Sequence, residues 1–403
     1  MLTAVGVVAF VVALLTSVMI HEGGHFLTAR RYGMKATQFF VGFGPTLWST
    51  RRGETEYGVK AIPAGGFVKI VGMTPLEEVE PGDEDRAFFR QPAGRRAVVL
   101  AAGSFMHFVI AVVLVLVSSF ALGQVVESSP ALAKTSDCVA AGTDQTCGRP
   151  GAVPAPAKAA GVQPGDVVVA IGGRTVKDGE AFVRAVRASA GRPLTLTVLR
   201  DGHRRQLTVT PTTVERPSLD NPKKTEQVGA IGVTVQRRLV TERQGVVQSF
   251  RDSGTTLGLI VKSIGTTLTD KLGTITTLYT PQRDPAGFVG PVGAGRISGE
   301  VLASHETTGV KILTFLGIIA GLNFFVGVFN LLPLLPLDGG HIAVLVFEQA
   351  RDRVRRMFGY AGELQRVDLT KLMPLTYAVV LAFVGLTVWI MGADIVNPVR
   401  LPQ

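Results

Sequence analysis

The cluster His21-Glu22-Gly23-Gly24-His25 closes an apolar run, Met1 to Ile20, that carries no charged side chain. An ionisable residue beside hydrocarbon costs on the order of 3 kcal/mol and needs a partner. On a helix, residues four apart share a face and lie about 6 Å apart along the axis, so both imidazoles can reach one zinc ion. Glu22, between them, can then face a bound water. On a soluble helix the same residues would be surface decoration. In a membrane segment a metal supplies the partner they require, a structural-type zinc site returning about 10–16 kcal/mol.

The rest of the chain suits a bilayer. Of 403 residues, 46% are hydrophobic and 18% charged. Four long apolar stretches, residues 2–28 with the motif at the far end, 97–122, 312–337 and 372–393, are near or above the ~20 residues that cross a ~30 Å hydrocarbon core. His107, Asn323 and Asn330 are the strongly polar residues inside the second and third. The first stretch lacks a basic start, and no small-residue cleavage site precedes His21, so it reads as a retained span rather than a signal peptide. Basic residues crowd the segment from Arg30 to Arg96 and the segment from Arg351 to Lys371, which places both on the cytoplasmic side. Both termini and the long 123–309 segment are then extracytoplasmic. The net charge of +10 calls for no nucleic acid, because attraction to anionic lipid headgroups, about 1 kcal/mol per basic residue near the surface, accounts for it. Cys138 and Cys147 lie in the extracytoplasmic segment, where they can close a small disulfide loop or remain free.

The third span ends in Asn330-Leu331-Leu332-Pro333-Leu334-Leu335-Pro336-Leu337-Asp338-Gly339-Gly340-His341. Two prolines and a glycine pair break the helix while it is still among apolar residues, which a membrane tolerates only beside protein or a wet cavity. Asp338 is therefore a carboxylate at membrane depth that calls for a cation. Spans one and three both run from outside to inside, so His21, His25 and Asp338 arrive at the same cytoplasmic end. Two His and one carboxylate leave a fourth position open for water, the pattern of a catalytic zinc. A simple helix-ending turn at Asp338 is the alternative, and His341 is a competing ligand.

On these residues, together with Val59-Lys60-Ala61-Ile62-Pro63-Ala64-Gly65-Gly66-Phe67-Val68-Lys69 and Gly290-Pro291-Val292-Gly293, the chain resembles the site-2 protease family of intramembrane zinc metalloproteases, in its bacterial four-span form with a PDZ domain. The resemblance implies one Zn2+ held by His21, His25 and Asp338, with Glu22 as the catalytic carboxylate. It departs from the family in the second span, where Ala101-Ala102-Gly103-Ser104-Phe105-Met106-His107 has Ser104 and His107 at the family's Pro and Asn positions. His107 reads as a structural histidine.

The expected fold is an α-helical polytopic membrane protein with four transmembrane helices, a cytoplasmic-side membrane-associated β-hairpin and an inserted extracytoplasmic α/β PDZ-like domain. Residues 1–30 form the first span. Residues 31–96 form a cytoplasmic loop with a hairpin at 57–70, and 97–122 the second span. Residues 123–212 form the PDZ-like domain, and 213–309 a linker and a membrane-surface helix. Residues 310–350 form the third span, 351–371 a cytoplasmic loop and 372–403 the last span and tail. The PDZ reading rests on Gly161-Val162-Gln163-Pro164-Gly165-Asp166, a strand at Val167–Ile171, an Asp178 N-cap, a helix from Gly179 and strands at Leu194–Leu199 and Gln206–Thr210. Polar residues 213–230, with Pro217 and Pro222, read as linker, and 240–276 as an amphipathic surface helix.

Zinc pulls the pKa of a bound water from 15.7 toward about 7, and Glu22 is placed to take its proton and pass it to the leaving amine. Asn330 is a candidate for the tetrahedral oxyanion or for substrate orientation. A helical substrate hides its carbonyls, so it must unwind and find new partners. The hairpin, turning at Gly65-Gly66, offers an edge for strand addition. The leading function is an intramembrane zinc endopeptidase of a bacterial cell membrane that cuts single-span membrane proteins near the cytoplasmic side; the family implies anti-sigma factors among its substrates. Its partners are then transmembrane substrates and the lipid bilayer, with the PDZ-like groove open to a peptide or adaptor. A zinc transporter or sensor, or a non-catalytic PDZ scaffold, would leave Glu22 without a task.

Overall fold

The computed structural model describes residues 2–73, 79–140, 147, 152–219, 224–270, 272–281, 283–284, 287–359 and 367–399. In chain order its elements are α1 (Leu2–Arg31), β1 (Ala36–Arg52), β2 (Thr55–Ile70), α2 (Ala93–Ala121), β3 (Gln124–Thr135), β4 (Cys138–Val139), β5 (Val153–Pro154), α3 (Pro156–Ala159), β6 (Val167–Ile171) and β7 (Arg174–Thr175). There follow α4 (Gly179–Arg187), β8 (Leu194–Arg200), β9 (His203–Val209), β10 (Thr212–Pro217), β11 (Thr225–Ala230) and β12 (Val233–Glu242), then α5 (Val246–Thr269), α6 (Pro291–Ala303), α7 (Thr308–Asn330), α8 (Asp338–Met357) and α9 (Met373–Val396). Four helical stretches, Leu2–Arg31, Ala93–Ala121, Thr308–Asn330 and Leu369–Val396, are long and apolar enough to cross a membrane.

The chain divides into two compact units. The first contains the spans, β1, β2 and α5, α6, α8. Here α1 packs against α2 and α6. A Cβ on Gly6 would lie 2.7 Å from the Gly299 Cα, the close backbone approach by which small residues bring membrane helices together. The N-terminus of α6 is fastened to α9, since Asp394 Oδ2 accepts from the Gly290 and Gly293 N–H groups, each at 2.9 Å. Arg283 Nη2 donates to Asp394 Oδ1 at 2.6 Å.

The strand pair of this unit is more elaborate than a 57–70 hairpin. The turn lies at Gly53, and β1 supplies partners that the sequence reading left in a loop. Antiparallel register joins Arg52↔Thr55 through Trp48↔Val59, and also Phe39↔Val68 through Val41↔Gly66. In addition, partners rise together from Gln38↔Glu56 to Val41↔Val59, so β1 lies between two parts of β2. Gly65 and Gly66 therefore mark a bend within β2 rather than the turn of a hairpin.

The break in the third span also has a definite form. α7 ends at Asn330, the prolines occupy the non-helical stretch 331–337, and α8 restarts at Asp338 and continues to Met357. The stretch read as cytoplasmic loop, 351–371, thus begins as helix.

The second unit comprises Leu122–Glu242 and Glu306–Val310. Its six-stranded sheet has the order β12-β3-β6-β8-β9, with β7 on β6. Asp178 caps α4, accepting from the Ala181 N–H at 2.7 Å, and Phe182 packs in a core with Leu132, Val168, Leu196 and Val198. Residues 213–230 are not a linker where described. Their strands β10 and β11 pair from Thr212↔Ala230 to Pro217↔Thr225 and bury Val214 and Val228 against Val139 and Ala155. The sheet also needs β12, paired along β3, so the unit extends past 212 to Glu242. Within the 240–276 stretch, helix begins only at Val246. Cys138 and Cys147 are joined in a disulfide.

Candidate metal centre

α1 places His21 and His25 one turn apart, and the restart of α8 brings Asp338 to them. His21 Nε2 and His25 Nε2 are 3.2 Å apart, and Asp338 Oδ2 lies 3.5 and 3.4 Å from them. Among the described residues this trio is the group able to hold a metal ion; His341 does not join it.

Three observations fit zinc. The mutual spacings match the edge of a tetrahedron with metal bonds of ~2.0–2.1 Å, which is about 3.3 Å. His25 Nδ1 sits 2.7 Å from the Val99 carbonyl; a carbonyl only accepts, so Nδ1 carries the hydrogen and Nε2 offers its lone pair inward. Asp338 Oδ2 is buried without a hydrogen-bond partner. Lone-pair atoms gathered this way repel one another unless a cation sits among them.

Glu22, the residue after His21, turns toward β2: its Oε2 accepts from the Val68 N–H at 3.1 Å. That amide turns toward α1, so the part of β2 around Val68 runs next to Glu22. Gly65 has φ +139°, which suits glycine, and a Cβ on Gly66 would meet Met19 Sδ at 2.4 Å. Both glycines thus have a packing reason to be there. Asn330 is half-buried at the end of α7, and among the described residues no hydrogen bond joins it to the trio.

Gly103 escaped the sequence reading. A Cβ there would stand 2.3 Å from His25 Nε2 and 2.6 Å from His21 Cε1, so the bare backbone of α2 closes one side of the centre. The available signal was a glycine inside an apolar span, opposite a known pair of histidines. His107 lies beside the centre, its ring centroid 4.9 Å from that of His21.

Residues 9–363 match peptidase family M50. The chain is similar to the zinc metalloprotease Rip1 of Mycobacterium tuberculosis (strain ATCC 35801 / TMC 107 / Erdman), at 40% identity over 415 residues covering 100% of both chains. It is likewise similar to Rip1 of Mycolicibacterium smegmatis, 37% identical with 100% of both covered. A third relative is the putative zinc metalloprotease Atu1380 of Agrobacterium fabrum, 29% identical over 86% of this chain and 87% of that protein.

Proposed function

Because the chain belongs to peptidase family M50, the site-2 protease family, and is a zinc metalloprotease of a membrane, we propose that it is an intramembrane endopeptidase cutting single-span membrane proteins, anti-sigma factors among them. The observation that carries this reading is the convergence of His21, His25 and Asp338 beside Glu22 and the β2 edge. In the proposal His21, His25 and Asp338 hold the zinc. When bound, zinc supplies a polarised scissile carbonyl and an acidified water. Glu22 would take a proton from the attacking water and pass it to the leaving amine, a role worth roughly 10²–10⁴-fold. Asn330 orients the substrate backbone. The unwound substrate pairs along β2 near Gly65 and Gly66, so its freed N–H and C=O groups regain partners.

The positive-inside bias supports a topology with both termini and the second unit outside and the centre toward the cytoplasm. The strand and helix order of the second unit supports a PDZ-like domain that screens substrates or takes a peptide or adaptor. The test compares membrane-protein fragments in cells carrying the native chain or Glu22→Gln. The variant is expected to keep zinc and accumulate an uncut transmembrane protein; an unchanged fragment pattern rejects intramembrane proteolysis, and retained zinc flux would instead indicate a transporter.

A further inference from the structure

Helix α8 begins on Asp338 and runs 20 residues, so its far end lies roughly 28 Å along the axis at 1.5 Å per residue. One face is packed: Leu345 is in the core with Phe26, Val99 and Leu100, and Glu348 accepts from Arg96 Nη1 at 3.3 Å and from the Val367 N–H at 2.9 Å. The opposite face is a continuous apolar stripe. Val346, Phe347, Ala350, Val354 and Met357 lie along it one, three or four residues apart, and Phe358 follows at the helix end; Val346, Phe347, Val354, Met357 and Phe358 are 60, 59, 50, 79 and 85% exposed. Such a patch in water marks a missing partner.

The charges identify that partner. Arg351 and Arg353 lie on the two margins of the stripe, with Arg355 and Arg356 farther round the helix. An apolar stripe bordered by guanidinium groups is the layout of a helix lying in the interfacial plane, its apolar side chains among acyl chains and its arginines at phosphate level. Residues 331–372 join α7 to α9, two helices long and apolar enough to cross a membrane, so a bilayer crossed by both leaves the far end of α8 on one side of it. We propose that the Val346–Phe358 face of α8 docks on anionic phospholipid headgroups, and that the membrane surface thereby holds the helix whose first residue is Asp338. The proposal stands on the membrane location of the chain and not on the proteolytic reading.

The test uses the full chain with Glu22→Gln, which leaves proteolysis out of the readout, and Met357→Cys. Cys138 and Cys147 are bonded to each other, so the new thiol alone takes an environment-sensitive dye. The labelled protein is placed in vesicles of phosphatidylcholine, or of phosphatidylcholine mixed with phosphatidylglycerol. The expected result is blue-shifted emission, quenched by a shallow lipid-borne quencher, that is stronger in the anionic vesicles; Arg353→Gln with Arg356→Gln removes the difference between the two lipids. Emission matching that of the same dye at the exposed turn residue Asp201, or indifferent to lipid charge, overturns the proposal.

Discussion

His107 donates its Nδ1 hydrogen to the side-chain oxygen of Asn323 at 2.9 Å, and the other bonds of Asn323 set that direction. The Asn323 amide nitrogen donates to Ser17 Oγ at 3.0 Å and to the Ile319 carbonyl at 2.9 Å, so its oxygen must face the imidazole, whose Nδ1 therefore carries the hydrogen. One buried polar chain thus ties α2, α7 and α1 together beside the candidate zinc ligands.

Breaking this tie on one side leaves a buried polar group bare, the Asn323 oxygen when His107 is lost and the His107 Nδ1–H when Asn323 is lost. His107→Leu or Asn323→Leu alone is expected to cost about 1–2 kcal/mol, as for interhelical hydrogen bonds in membranes. The double variant is expected to lose less than the sum, because neither partner remains to be orphaned. Unfolding in detergent across the double-mutant cycle measures the coupling; additive losses would mean that the bond contributes nothing.

Gly103→Ala drives a methyl group into the space 2.3 Å from His25 Nε2. Displacement of the imidazoles should weaken zinc binding on the order of 10–100-fold, the range seen when ligand orientation is disturbed. Gly94→Ala, on the same helix with nothing within 4 Å of the added Cβ, is the control expected to bind normally. Zinc titration against a competing chelator separates the two.

Asp394 and Arg283 are almost wholly buried, their side chains 1 and 4% exposed. Asp394→Ala strands the guanidinium and frees the Gly290 and Gly293 amides at the start of α6. The expected loss is roughly 3–5 kcal/mol, typical when one partner of a buried pair is removed, with protease sensitivity rising first around α6. Thermal melts and limited proteolysis of the full chain report both effects.

In the second unit, burial raises the Asp166 carboxyl pKa, but the Arg200 fork, with contacts of 2.7 Å, and the Gln163 N–H outweigh it and hold the group below the ordinary carboxylate value. A depressed acid contributes stability that is complete above its unfolded pKa, near 3.8, and disappears as pH falls through the lower folded value. Hydrogen exchange of the 162–171 backbone in the full chain is expected to change little from pH 7 to 5, apart from the intrinsic rate, and to lose protection below about pH 4. Asp166→Asn should lower protection at pH 7 and flatten that acid response.

Much of the candidate site was legible before any coordinates. A pair of histidines four apart in an uncharged run, and an aspartate after two prolines, are local patterns whose spacing and solvent demand follow from helix geometry and the bilayer. The β1–β2 arrangement was not, because Phe39↔Val68 and Phe39↔Tyr57 are both sheet partners and nothing in the local alternation says that one strand will serve two segments. Residues 213–230 misled for a related reason: their polar composition reads as linker, while Val214 and Val228 find their burial only when β10 and β11 close on Val139 and Ala155.

From the sequence alone come the four apolar stretches long enough to cross a membrane, the grouping of His21, His25 and Asp338 as a candidate metal centre and Glu22 beside it, since hydrophobic length, helical period and the need to neutralise a buried charge act within a short stretch of chain. Only the tertiary structure decided that the Val68 amide meets Glu22, that Gly103 leaves room for two imidazoles, that Asn323 fixes the proton of His107, and which face of α8 stays bare. Each of these depends on a distance between segments far apart in sequence, set by packing, which side-chain periodicity does not encode.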